Sequence, residues 1–102
     1  MDVTLLYING CPSWQEADAH LRTLAEEIPD LTIHRQLVET AEAAAQYRFR
    51  GSPSIHVNGL DLFARTEDPV GMCCRVYETA NGLAGSPTLE QMRSAVTSAK
   101  RN

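Results

Sequence analysis

A chain of 102 residues that is 43% apolar and 22% charged has the length and composition of one compact domain, expected to span residues 1–102. Its formal net charge of −4 argues against a nucleic-acid or anionic-membrane partner, both of which require a basic face. No stretch approaches the ~20 apolar residues of a bilayer span, and Asp2 stands where an export signal carries positive charge; the expected location is the cytoplasm, where cysteines stay reduced.

Val3 to Ile8 is an apolar run of β formers closed by Asn9-Gly10, with apolar residues on both alternating faces. That pattern predicts a central strand covered on both sides. A helix follows from about Pro12, with Ala17, Leu21, Leu24, Ala25 and Ile28 along one face until Pro29-Asp30 ends it. Leu31 to Val38 alternates as a half-buried strand nearer the sheet edge does. Thr40 is placed to cap a short helix running to about Tyr47. Gly51-Ser52-Pro53 breaks the chain, and Ser54 to Val57 is a short strand ending in the turn pair Asn58-Gly59. Leu60 to Met72 carries no clear pattern, whereas Cys73 to Thr79 reads as a further strand. Thr88 and Gln91 form a capping-box signal, and Leu89, Met92 and Val96 give the last helix an apolar face. The predicted order is β-α-β-α-β-β-α, an α/β fold with a mixed four-stranded sheet and helices on both faces.

Three cysteines, two of them adjacent, do not make a disulfide framework. Cys11 lies between the first strand and the first helix. Unpaired N–H groups and the positive dipole end at a helix N-terminus stabilise a thiolate there, and the thiolate is the nucleophile. The alternative is a small apolar residue packed under the turn. Gly51-Ser52-Pro53 is, on its own, an ordinary turn.

A strand, Cys11-Pro12 at a helix start, β-α, Ser52-Pro53 opening a hairpin strand and a final helix together resemble the thioredoxin family over residues 2–100, with an apparent insertion at 60–72. The resemblance implies a cis peptide before Pro53, a proline facing Cys11, and an edge at Ser52 that pairs with an extended substrate. It implies a binding groove made by Pro12, Trp14, Ser52 and Pro53. Position 14 is Trp where the dithiol members of the family carry a second cysteine, so the expectation is a monothiol protein. More closely, Gly10 to Trp14, Gly51 to Ile55, Asp61, Cys74 to Tyr77 and Gly82 to Pro87 are similar to a group of small bacterial thioredoxin-like proteins.

On that topology the Pro53 strand starts beside Cys11 and runs away from it, and its antiparallel neighbour returns. Cys73 and Cys74 then lie at the far end, on the order of 15 Å from Cys11 at ~3.4 Å per residue. A disulfide requires Cα atoms within ~7 Å, so none is expected. Cys73 and Cys74 point to opposite faces, and one or both are expected to serve as core filler. His20, His34 and His56 are too dispersed for a metal site, and no cofactor is implied. Trp14 is either a shield or platform beside the thiol or a partly buried surface aromatic. Tyr77 is expected to be structural, Arg75 a solvated charge and Asp61 a loop acid.

Three functions follow as expectations. The first is thiol–disulfide exchange or adduct formation at Cys11, with a low-molecular-weight thiol or a protein thiol or disulfide as partner. The second is a non-catalytic module that binds in the Trp14/Ser52-Pro53 groove. The third is soft-metal or organomercurial chemistry using Cys11, Cys74 and Asp61, which requires the two thiols to converge. Substrate, reductant and oligomeric state are not legible.

Overall fold

A computed structural model describes residues 1–63, 71 and 74–101, with side chains through residue 99. Strand β1 (Asp2–Tyr7) is the centre of a four-stranded mixed sheet of order β2-β1-β3-β4. It pairs in parallel with β2 (Thr32–Leu37), from Asp2 opposite Thr32 to Tyr7 opposite Leu37. On its other side it runs antiparallel to β3 (Ser54–Val57), with Val3 opposite Val57 and Leu6 opposite Ser54. Val3, Leu5 and Leu6 are all buried, which is why this strand reads as apolar on both faces. β2 is an edge strand, exposed at Thr32, His34 and Arg35 and half-buried at Ile33, Gln36 and Leu37; its half-buried edge character is as predicted, while Arg35 breaks the alternation.

Helices cover both faces. Helix α1 (Trp14–Glu27) sends Ala17, Leu21 and Leu24 onto Val3, Leu5, Ile55 and Val57, and α3 (Leu89–Arg101) adds Met92 and Val96 to the same core. On the opposite face α2 (Ala41–Tyr47) contributes Ala44 to a smaller cluster with Leu6, Val38 and Phe49. Both predicted caps form. Thr40 Oγ1 accepts from the Ala43 N–H at 3.0 Å. The Thr88 hydroxyl accepts from the Gln91 N–H at 3.1 Å while the Gln91 side-chain oxygen accepts from the Thr88 N–H at 2.9 Å, the reciprocal pair of a capping box. Among the described residues no helix is long and apolar enough to cross a membrane.

The second half of the sheet departs from expectation. The partner of β3 is β4 (Leu60–Asp61), with His56 opposite Asp61 and Val57 opposite Leu60. Asn58 and Gly59 both have positive φ, 51° and 87°, the geometry of a two-residue turn that folds the chain straight back. Leu60–Asp61 therefore takes the position beside β3 at once. The later strand, β5 (Tyr77–Thr79), is displaced into a separate hairpin with β6 (Gly82–Ala84). The order is thus β-α-β-α-β-β-β-β-α. At Gly85, after β6, a Cβ would collide with the Ser13 side chain, so the approach to α3 packs directly on the start of α1.

Candidate functional site

The site is built where β1 ends and β3 begins. β1 delivers the chain to Gly10, whose φ of 88° turns it, and Cys11 follows, only 3% exposed. Helix α1 starts at Trp14, two residues later than Pro12; the Gln15 N–H instead donates to the Pro12 carbonyl at 3.1 Å. Pro12 is exposed, and Ser13 is the N-cap without a side-chain cap bond. Trp14 is half-buried and its ring stacks on Tyr7, centroids 4.4 Å apart. It is a packed aromatic that joins the larger core.

Facing this turn is the loop before β3. The Ser52–Pro53 peptide is cis, and both residues are fully buried. The Ile8 N–H donates to Ser52 Oγ at 3.2 Å, tying this loop to the Cys11 turn. Cys11 Sγ lies 3.6 Å from the Ser52 carbonyl oxygen. The Tyr77 hydroxyl donates to the Pro53 carbonyl, and Tyr77 is buried with its ring edge-on to Phe63.

Across the Ser52 edge runs the chain's own segment around Cys74. Cys74 forms an isolated parallel bridge with Ser52, and the Arg75 N–H donates to the Ser52 carbonyl at 3.0 Å. Cys11 and Cys74 are joined as a disulfide, their Cα atoms 6.1 Å apart and 63 positions apart in sequence. This overturns the separation on the order of 15 Å expected from the strand register. The reason is topological. Cys74 does not begin a strand antiparallel to β3, because β4 occupies that position; the chain instead returns to the Cys11 end, where the Gly71 N–H donates to the Phe49 carbonyl at 2.9 Å. Cys74 is therefore no core filler: it is an exposed residue paired with a buried one. Cys73 lies outside the described residues.

Two more expectations are corrected. Arg75 is not a solvated charge but is 8% exposed. Its guanidinium donates from Nη1 to Asp61 Oδ2 at 2.8 Å and from Nη2 to Asp61 Oδ1 at 3.4 Å. It also donates to Ser54 Oγ at 3.1 Å and to the Phe63 carbonyl at 2.8 Å, and it lies 4.8 Å from the centre of the Tyr77 ring. Asp61 is accordingly not a loop acid but the buried β4 partner of this guanidinium. The alternation that puts Arg75 and Tyr77 on one face was the available signal, since an inward Tyr77 brings Arg75 inward with it.

His56 sits beside this pair. Its Nε2 is buried 3.9 Å from Asp61 Oδ2 and has no hydrogen-bond partner among the described residues. Burial holds the imidazole below its ordinary range; Asp61 opposes that shift, while Arg75 and Arg50 reinforce it. A histidine that titrates lower in the folded than in the unfolded state leaves the unfolded chain binding more protons, so stability falls as pH drops below the unfolded value of about 6.5. Urea unfolding at pH 7.5 and pH 5.5 is therefore expected to show a larger acid-side loss for the wild-type chain than for His56→Gln. Parallel losses in the two proteins would contradict this.

The structure thus brings Cys11, Ser52, Pro53 and Cys74 together, links Asp61 to them through Arg75, turns Trp14 onto Tyr7, and leaves Pro12 at the surface. Among the described residues no group of three His, Cys, Asp or Glu side chains is disposed to hold a metal ion. The chain matches no family model, no curated protein and no solved structure.

Proposed function

We propose that this chain is a thioredoxin-like thiol–disulfide exchange protein whose working pair is Cys11 and Cys74, acting in a reducing cytoplasm. The observation that carries this reading is the Cys11–Cys74 disulfide laid across Ser52. A resolving thiol at position 74 replaces the one that Trp14 displaces from the helix, so the monothiol expectation gives way to a dithiol one.

In the forward direction the Cys11 thiolate attacks one sulfur of a disulfide R–S–S–R′. A Cys11–S–S–R mixed disulfide forms and R′S⁻ leaves, taking a proton from solvent. Cys74 then loses its proton, its thiolate attacks the Cys11 sulfur, and RS⁻ leaves. The protein gains one disulfide and gives up two electrons and two protons, while the substrate becomes RSH and R′SH. Two equivalents of a low-molecular-weight thiol reverse the sequence. In this reading Cys11 takes the attacking and leaving roles, because it stands in the turn before α1, where the thioredoxin resemblance puts the active cysteine. Cys74 gains from being intramolecular.

The binding-module reading needs an open Ser52 edge, and the Ser52 carbonyl is already used by the Arg75 N–H. The soft-metal reading gains the convergence of two thiols that it requires, yet its third group, Asp61, has both carboxylate oxygens on Arg75.

Mixing the reduced full chain with glutathione disulfide tests the proposal. The expected products are one Cys11–Cys74 disulfide, located by peptide mass mapping, and two equivalents of glutathione per chain. A glutathione adduct that persists on Cys11, or an unreactive Cys11, would overturn it.

A further inference from the structure

Breaking the Cys11–Cys74 bond removes one tether from the segment around Cys74, but the others do not involve sulfur. The Arg75 N–H still has the Ser52 carbonyl at 3.0 Å. Its guanidinium still has both oxygens of Asp61, the Ser54 hydroxyl and the Phe63 carbonyl. These are charge-assisted bonds to a buried carboxylate, among the stronger kinds of hydrogen bond, and the Arg75 and Asp61 side chains are only 6% and 7% exposed. The residue immediately before this anchor is Cys74.

Resting on the exchange reading above, we infer that Arg75 is the positioning residue of the redox pair: clamped to Asp61 in both oxidation states, it keeps the Cys74 thiol beside Cys11 after reduction. A thiol held this way attacks as an intramolecular group at high effective concentration, whereas a thiol on a free loop must first close that loop. The clamp favours disulfide formation over the dithiol, and so makes the potential of the pair more reducing. Arg75 touches neither substrate nor sulfur in this role. It acts through the backbone of its neighbour.

The test uses the full chain in a Cys73→Ser background, equilibrated in glutathione buffers of graded ratio, with the Cys11–Cys74 disulfide quantified by alkylation and mass spectrometry. Losing a hydrogen bond to a charged group weakens the docked state by about 10–100-fold. Arg75→Gln is therefore expected to lower the equilibrium constant for disulfide formation by that factor, a shift of about 30–60 mV towards the oxidising side. Arg75→Lys, which keeps the charge but not the fork, should fall between Gln and wild type. An Arg75→Gln constant within about twofold of wild type would overturn the inference, since the 10–100-fold loss would be absent.

Should Arg75→Gln fail to fold, amide exchange in the reduced wild-type chain gives the same decision. Protection of the Arg75 N–H is expected, and exchange at the free-peptide rate would overturn the clamp. The two proposals fail separately. A wild-type chain that forms no Cys11–Cys74 disulfide in any buffer defeats the exchange reading, while a protected Arg75 amide in that same chain sustains the clamp.

Discussion

Cys74→Ser, reduced and then challenged with glutathione disulfide, is expected to stop at a glutathione adduct on Cys11 that the wild-type chain does not accumulate. The first step needs only the Cys11 thiolate. The second needs a thiol at position 74, and a serine hydroxyl at neutral pH cannot replace it. Intact-protein mass would show one added glutathione per chain, released only by an external thiol. The same variant is expected to lose stability relative to the oxidised wild type. A cross-link between residues 63 positions apart removes about 4 kcal/mol of unfolded-state chain entropy in the loop-closure treatment. Urea unfolding of oxidised wild type, reduced wild type and Cys74→Ser separates the contributions, with the last two expected to unfold together. A Cys74→Ser protein as resistant to urea as the oxidised wild type would contradict the disulfide assignment.

Asp61→Ala carries the second large effect. The Arg75 side chain is 6% exposed and the Asp61 side chain 7%, so Asp61→Ala takes the carboxylate away from a buried guanidinium that also meets Ser54, the Phe63 carbonyl and the Tyr77 ring. Breaking one partner of a buried ion pair costs about 3–5 kcal/mol, far more than an exposed pair contributes. The exposed Arg93–Glu27 pair that ties α3 to α1, at 2.8 and 2.9 Å, is the internal comparison. Its removal by Glu27→Ala is expected to cost far less stability than Asp61→Ala, because solvent screens an exposed pair. Equal losses from the two substitutions in urea titrations would mean that Asp61 is solvated in solution.

Much of the architecture was legible because it rests on local signals. The apolar run Val3 to Ile8, the Thr40 cap, the Ser54 to Val57 strand and the Thr88/Gln91 box each depend on residues a few positions apart; the run forms β1 (Asp2–Tyr7) and the others form as expected. The Asn58-Gly59 turn was also legible. What it leads into was not, because β4 is only Leu60–Asp61, and two residues show no period. From that one gap the larger miss follows. With the place beside β3 assigned to the later strand, Cys74 had to lie far from Cys11. The position of Cys74 depends on where a connection without periodicity carries the chain, and no spacing rule fixes that. Arg75 escaped for a related reason. A charged side chain reads as solvated until its partner is known, and that partner lies 14 residues earlier, on β4.

The bond between Cys11 and Cys74 also divides the molecule in a way the sheet does not. It closes a covalent ring that contains α1, β2, α2, β3 and β4, and leaves two tails, one carrying β1 and the other β5, β6 and α3. The central strand of the sheet therefore comes from a tail, while both of its neighbours, β2 and β3, come from the ring. A single backbone cut inside the ring leaves the oxidised molecule in one covalent piece. The same cut in the reduced molecule yields two fragments held only by the packing of the sheet and its helices.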